Sequence, residues 1–173
     1  MPASLTPQPR LVSYPWMSLD AWYGFHAGEA KIATRGEANV VFIDDSITQG
    51  WGGRGNEQWN ERFASLRAVV LMSGTNNFAL AKDSPEVIAV VDQLERSYAN
   101  ADILLFGVFP RSEHPQDPIR SKIERTNRII ANLQVRERVD FLDIGDRFLE
   151  PDGRIHKTVM PDFLHLSEEG YRR

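Results

Sequence analysis

The fold is decided by a stretch at residues 39 to 50, Asn-Val-Val-Phe-Ile-Asp-Asp-Ser-Ile-Thr-Gln-Gly. Its segment Val40 to Ile43 is wholly apolar and rich in β-branched side chains, which favours a strand. Because no polar residue interrupts the segment, we expect the strand to be buried on both faces, as in a parallel sheet. Open α/β sheets bind their ligands at the carboxyl ends of such strands. Ser46 is therefore the first candidate for chemistry.

Three more apolar segments follow along the chain, and helical patterns separate them. Alternation of strands and helices predicts a parallel sheet inside a three-layer α/β/α sandwich of flavodoxin-like type, here with four strands. Residues 1–15 are predicted to be an extended N-terminal segment, and residues 16–173 a single domain. The predicted strands are 39–44, 68–72, 102–109 and 139–143; the predicted helices are 16–34, 57–64, 85–100, 119–136 and a last one that begins at Ser167.

The composition excludes several classes of function. The 173 residues contain no cysteine, which removes thiol catalysis, disulfides and cysteine-based zinc sites. The net charge is -4 with acids and bases interspersed, so no basic patch indicates binding to nucleic acid or to an anionic membrane. No apolar segment is long enough to span a bilayer. No signal peptide is visible in the first 15 residues, so the compartment stays open, with the cytoplasm as the default.

Polar side chains from three segments are expected to meet at one edge of the sheet. Ser46 follows the first strand, Asn76 follows the second, and Asp162 and His165 lie in the loop after the fourth. A spacing of three places Asp162 and His165 side by side in one helical turn. Such a pair lets the carboxylate orient the imidazole while the imidazole accepts a proton from a serine hydroxyl. The side chain of Asn76 and the backbone N–H of Ser46 are candidate donors to an oxyanion.

These residues lie in motifs that resemble a known family. The resemblance is to blocks I, III and V of the SGNH (GDSL-type) hydrolases, and more narrowly to the catalytic subunits of platelet-activating-factor acetylhydrolase and their bacterial relatives. The motifs are Asp45-Ser46-Ile47-Thr48, Gly74-Thr75-Asn76-Asn77 and Asp162-x-x-His165, with Phe109-Pro110-Arg111 and the segment from Asp162 to Tyr171 carrying the narrower likeness.

The resemblance implies a role for each residue. Ser46 would be the nucleophile, His165 the general base and Asp162 the acid that orients it. Ser46 and Asn76 would form the oxyanion hole, with Asp45 and Gly74 flanking the motifs. The family hydrolyses carboxylic esters, often acetyl esters of sugars or lipids, so the implied partner is a small-molecule ester, with no metal or cofactor.

Two departures from the family pattern predict a weakened site. Asp44 stands where the family has glycine, and its charge would oppose a developing oxyanion. Only 30 positions separate Ser46 from Asn76, which suffices for one crossover between strands and not for two. We infer that an internal strand is absent, together with the loop glycine that would donate to the oxyanion. The first strand would then form a sheet edge, where two copies of the chain could associate.

Two alternatives stay open. A non-catalytic relative could keep the cleft and bind ester-bearing glycans, and Asp44 together with the missing glycine loop favours this class over a receiver domain. The pair Asp44-Asp45 also resembles the Mg²⁺-binding acids of a receiver domain. A receiver needs a phospho-accepting aspartate after its third strand, and the segment Gly107 to Arg111 contains none. The receiver hypothesis therefore ranks below both the esterase and the binding protein.

Overall fold

The structure is a computed structural model that describes residues 10–33, 40–43, 46–57, 59, 68–75, 85–98 and 100–173. The chain divides into two compact units, Met1–Asn39 and Val40–Arg173, and each is described by itself. The division proposed from the sequence, with an extended segment up to residue 15 and one domain after it, stays a prediction.

The first unit contains one helix, α1 (Leu19–Ala33), among its described residues. The predicted helix over 16–34 is thereby confirmed, with a later start. The start is fixed by Ser18, whose hydroxyl accepts a hydrogen bond from the N–H of Ala21 at 3.1 Å. Ahead of the helix, the guanidinium of Arg10 lies 4.9 Å from the ring centre of Tyr14 and 5.5 Å from that of Trp16.

The second unit is organised on a parallel sheet whose strand order is the order of the chain. Its strands are β1 (Val40–Ile43), β2 (Ala68–Leu71), β3 (Ile103–Phe106) and β4 (Val139–Leu142). All neighbouring pairs among these four strands are parallel, which confirms the four-stranded prediction for the described residues. Since the strands run in one direction, their carboxyl ends lie along a single edge of the sheet.

The third strand ends earlier than predicted, at Phe106 instead of Phe109. The cause is Asn127, a buried side chain that accepts from the N–H of Val108 at 2.8 Å and donates to its carbonyl at 3.1 Å. Because a side chain satisfies both backbone groups of Val108, this residue does not join the ladder of the sheet.

Helices and short 3-10 turns connect the strands. The α-helices of this unit whose bounds lie in the described residues are α2 (Ser46–Gln49), α3 (Pro85–Ser97), α4 (Pro118–Ile130) and α5 (Glu168–Arg172). The 3-10 turns are Gly50–Gly52, Ala131–Val135 and Gly145–Phe148. Residues 56, 57 and 59 are helical, and the rest of the helix predicted to reach residue 64 lies outside the described residues. The helix predicted over 119–136 is thus an α-helix that tightens into a 3-10 turn.

Two apolar clusters form the core, and the alternation of side chains along the strands assigns residues to one or the other. Leu71 and Leu105 point into a cluster with helices α3 and α4, while Met72 points into a second cluster with the C-terminal segment. The α-helices and the parallel sheet thereby form an α/β fold. Among the described residues, no helix is long and apolar enough to cross a bilayer.

Candidate active site

Ser46 is the first residue of α2, close behind the carboxyl end of β1. Its side chain is exposed, whereas that of the next residue, Ile47, is 3% exposed and packs in the second core cluster. The buried isoleucine anchors the short helix, and the serine hydroxyl is presented at the surface. A strand that ends in a tight helical turn thus positions one side chain in solvent and its neighbour in the core.

The chain brings Ser46, His165 and Asp162 into one hydrogen-bonded series. His165 Nε2 lies 2.8 Å from Ser46 Oγ, although the two residues are 119 positions apart. On the other side of the ring, Nδ1 lies 2.6 Å from Asp162 Oδ2. A carboxylate only accepts hydrogen bonds, so we assign the ring proton to Nδ1, which leaves Nε2 able to accept the serine proton. The three sequence-predicted residues are therefore arranged as a carboxylate, an imidazole and a hydroxyl in contact.

The Asp162–His165 segment is an irregular turn, so the predicted helical turn is wrong. Asp162 Oδ1 accepts from the N–H of Leu164 at 3.1 Å and from the N–H of His165 at 2.7 Å. Phe163, which lies between Asp162 and Leu164, has a φ of 59°, in the left-handed region. That conformation costs a side-chain-bearing residue about 1–2 kcal/mol, so its surroundings must hold it. The carboxylate of Asp162 supplies much of that support, because one oxygen holds the turn while the other holds the ring.

The electrostatics of the site favour an ionised aspartate. Partial burial raises the pKa of the Asp162 carboxyl, but hydrogen bonds from the ring and backbone of His165 and from Leu164 outweigh burial, and the resulting pKa lies below 3.8. The side chains of His165 and Asp162 are 30% and 55% exposed. Because the group is open to solvent, small molecules and water can reach it.

Two hydrogen bonds that sequence reasoning missed join the nucleophile segment to the histidine segment. Tyr171 donates its hydroxyl to the carbonyl of Ile47 at 2.5 Å, and Arg54 Nη1 donates to the carbonyl of Leu166 at 3.0 Å. The sequence carried one signal for the first contact, a glycine at position 50. A Cβ built there would lie 2.0 Å from the Tyr171 hydroxyl oxygen. Glycine is thus required by close approach of the tyrosine.

The segment after β2 contains the second predicted motif. Gly74 has a φ of 119°, which disfavours any residue with a side chain. Thr75 is 5% exposed, and Arg111 Nη1 donates to its carbonyl at 3.1 Å. The predicted oxyanion donor Asn76 lies outside the described residues, as do Asp44 and Asp45.

The described part of the chain offers no support for the receiver hypothesis. Strand β3 is followed by Gly107, Val108 and Phe109, so no carboxylate stands where a phospho-acceptor would. Within the same described residues, no group of three or more His, Asp or Glu side chains is arranged to hold a metal ion.

The chain is similar to several known proteins. A family model described as the GDSL-like lipase/acylhydrolase family matches residues 20–173. The chain is 29% identical to human platelet-activating factor acetylhydrolase IB subunit alpha1, over 87% of this chain and 78% of the relative. It is 27% identical to subunit alpha2 of the rat enzyme, over 89% and 80% of the two chains.

A likeness to solved structures supports the fold. A GDSL-like lipase from Bacteroides thetaiotaomicron superposes with a TM-score of 0.68 at 19% identity, covering 87% of this chain and 91% of the other. The alignment with the human relative runs over 180 positions, more than the 173 residues of this chain, although it covers only part of the chain. Stretches of the relative therefore have no counterpart in this chain.

Proposed function

The chain belongs to the GDSL-like lipase/acylhydrolase family, and from that premise we propose that it cleaves small-acyl esters through an acyl-enzyme formed on Ser46. The family makes the chain a hydrolase of esters. The observation that supports the finer proposal is the distance of 2.8 Å between Ser46 Oγ and His165 Nε2, with Asp162 bonded to the far side of the ring. Nucleophile, base and orienting acid are within hydrogen-bond reach, as this mechanism requires.

Acylation transfers the Ser46 proton to His165. As Oγ attacks the carbonyl carbon of the ester, Nε2 accepts the hydroxyl proton and the imidazole becomes a cation. The Asp162 carboxylate stabilises that cation through Nδ1–H. The tetrahedral intermediate then breaks its bond to the alcohol oxygen, which leaves with the proton from Nε2. The acyl group remains as an ester of Ser46.

Deacylation repeats these steps with water as the nucleophile. Water gives a proton to Nε2 as its oxygen attacks the acyl carbon, and the collapse of the second tetrahedral intermediate returns that proton to Ser46 Oγ. The carboxylic acid is released and the serine is regenerated. The exposure of His165 supports this step, because water has access to the ring.

We assign the oxyanion donors to the backbone N–H of Ser46 and to the side chain of Asn76. Ser46 begins α2, so its N–H has no acceptor within that helix. Donors aimed at the developing charge are commonly worth about 2.7–4 kcal/mol of barrier each. The assignment of Asn76 rests on its motif alone.

The proposed substrates are small acyl esters, above all acetyl esters, of a sugar or a lipid. Support comes from the relatives, whose names describe them as acetylhydrolases. The solvent-open triad suits a small acyl group carried on a larger alcohol. Asp44 and the missing segment would reduce the turnover of such esters, since one adds negative charge beside the oxyanion and the other removes a donor.

Turnover of p-nitrophenyl acetate by the wild type and by Ser46→Ala tests the proposal. We expect Ser46→Ala to lower kcat by about 10³-fold or more, because it removes the nucleophile. Equal rates for the two proteins would refute the esterase and leave the non-catalytic binding protein.

In the same assay, Asp44→Gly should raise kcat if the carboxylate opposes the oxyanion, and an unchanged or lower kcat would remove that explanation.

A further inference from the structure

One short segment, Arg111 and Ser112, contacts both parts of the site although neither residue takes part in the proposed steps. Arg111 Nη1 donates to the carbonyl of Thr75 at 3.1 Å, directly ahead of the proposed oxyanion donor in the chain. The N–H of Ser112 donates to the carbonyl of Phe163 at 2.9 Å, inside the turn that carries His165. The segment follows β3. In the sequence it lies between the Thr75 motif and the Phe163 turn that it contacts.

The backbone of Ser112 is held in an uncommon conformation by two side chains, those of Asp117 and Arg120. Its φ is 73°, which a side-chain-bearing residue rarely adopts. Its hydroxyl donates to Asp117 Oδ2 at 2.7 Å, and the same carboxylate caps α4 by accepting from the N–H of Ile119 at 2.9 Å. Arg120 Nη2 donates to the carbonyl of Ser112 at 3.2 Å. The start of α4 thereby fixes the direction of the Ser112 N–H.

Arg120 ties this arrangement to a second loop. Its side chain is 6% exposed, and Nη2 also donates to the carbonyl of Gly153 at 3.1 Å. A buried guanidinium loses much of its hydration, so its hydrogen bonds to backbone carbonyls are hard to replace with water. Ser112 is therefore linked to the Gly153 loop through a buried side chain.

The Phe163 carbonyl connects Ser112 to the turn that carries His165, because it accepts the Ser112 N–H. Phe163 has a positive φ and lies between the two residues that form the imidazole–carboxylate pair. If its carbonyl lost the Ser112 N–H, the turn could relax toward a commoner conformation and rotate His165 away from Ser46. A small displacement of a catalytic group lowers the rate steeply, because reaction requires near-attack geometry.

We infer that Arg111 and Ser112 are positioning residues for the proposed ester hydrolysis, Ser112 for the His165 turn and Arg111 for the Thr75 segment. The inference rests on the proposed function for the identity of the reaction. Neither residue contacts substrate in the proposed mechanism. Their loss should therefore lower kcat and leave KM nearly unchanged.

Chemical rescue tests the role of Arg111. Arg111→Ala should lower kcat for p-nitrophenyl acetate about tenfold with KM within about twofold. Guanidinium ion, added far below denaturing concentrations, should restore part of kcat by replacing the lost donor. The control is Arg138→Ala, because Arg138 pairs with Asp102 near the amino ends of the strands, at 3.6 Å. Its kcat should match that of the wild type with or without guanidinium. A wild-type kcat in Arg111→Ala, or no recovery with guanidinium, would overturn the role of Arg111.

Ser112→Gly tests the role of Ser112 in the His165 turn. The substitution does not disfavour the positive φ at this position. Glycine adopts a positive φ freely, so the variant should fold with a Tm close to that of the wild type, while it loses the hydroxyl bond to Asp117. We expect kcat to fall about tenfold at unchanged KM. A folded variant with wild-type kcat would show that the hydrogen bond from the Ser112 hydroxyl to Asp117 does not help to position His165.

An NMR measurement separates this inference from the proposed function. The Nδ1 proton of His165, bonded to Asp162, should give a downfield signal in the wild type and in Ser46→Ala. Ser112→Gly should broaden or abolish that signal in a folded protein, whereas an unchanged signal would contradict the inference. If the wild type showed no Ser46-dependent turnover, the proposed function would fail, and the signal would still decide whether Ser112 holds the turn.

Discussion

At the scale of the residue, the two carboxylate oxygens of Asp162 have different tasks. Oδ1 accepts two backbone N–H groups and fixes the turn, while Oδ2 accepts the ring proton of His165. All three bonds favour the ionised form, and the pKa of Asp162 lies below 3.8 in the folded chain after the opposing effect of burial. A lowered folded pKa gives stability that is present above the unfolded value and is lost as the pH falls through the folded value.

This difference predicts the behaviour of Asp162→Asn. The amide oxygen can still accept from the backbone, but the amide nitrogen cannot accept from Nδ1–H, so kcat at neutral pH should fall by about 10²-fold or more. The free energy of unfolding of the wild type should exceed that of the variant at pH 7, and the difference should shrink below pH 3.8. Urea unfolding at several pH values, with esterase assays at pH 7, measures both effects.

Asp152→Asn is the matched control for that substitution. Asp152 Oδ1 accepts from the N–H of Arg154 at 3.0 Å, so it also holds a turn, and no contact with His165 is present among the described residues. Its variant should keep the wild-type kcat. A stability difference for Asp162→Asn that stayed constant or grew below pH 3.8 would contradict the assignment.

At the scale of the element, two very short helices support each other. Helix α2 has 4 residues and α5 has 5, and helices of this length do not persist alone in water. The hydroxyl of Tyr171 in α5 donates to the carbonyl of Ile47 in α2 at 2.5 Å. The residue that follows α2, Gly50, leaves room for that hydroxyl. The position of the Ser46 helix thus depends on the C-terminal helix.

A double-mutant cycle tests this dependence. Gly50→Ala should destabilise the fold by about 1–3 kcal/mol, because its Cβ would lie 2.0 Å from the Tyr171 hydroxyl. Tyr171→Phe should cost about 1–2 kcal/mol, since it leaves a buried carbonyl without its donor. The double variant should be more stable than the sum predicts, by about 1 kcal/mol, because the phenylalanine lacks the clashing oxygen. Urea unfolding of the four proteins gives the coupling, and strictly additive losses would show that the two groups do not meet.

At the scale of the whole molecule, the interior strands of the sheet carry the core of the second unit. Leu105 of β3 is fully buried in the first apolar cluster, whereas Leu142 of β4 is 43% exposed. Leu105→Ala should lower the free energy of unfolding by about 2–5 kcal/mol, from lost burial and an unfilled cavity. Leu142→Ala should cost less than about 1 kcal/mol. The midpoints of urea unfolding compare the two, and equal shifts would mean that β3 is not the central support.

The order of the strands bears on two predictions made from the sequence. Strand β1 ends the described sheet on one side, as expected if the family's neighbouring strand is absent. Association of two copies along β1 stays a prediction, and so does the effect of Asp44 on turnover.

The sequence was a good guide to the element types and a poorer one to their ends. Apolar segments predicted all four strands, because burial on both faces requires continuous apolar side chains. The third strand was predicted to be three residues too long at its carboxyl end, since the pattern at Val108 is that of a strand. Only the distant side chain of Asn127 removes that residue from the ladder.

The strands, the family and the three candidate residues Ser46, Asp162 and His165 could be predicted from the sequence alone, because local hydrophobic patterns and motif spacing indicate them. Tertiary structure alone decided how the site is held. The left-handed Phe163 and the Arg111 bond across 36 positions have no local signature, and the Tyr171 bond across 124 positions is marked only by Gly50. Each depends on contacts between segments that only folding brings together, and so a motif can identify a catalytic histidine without indicating what aims it at its serine.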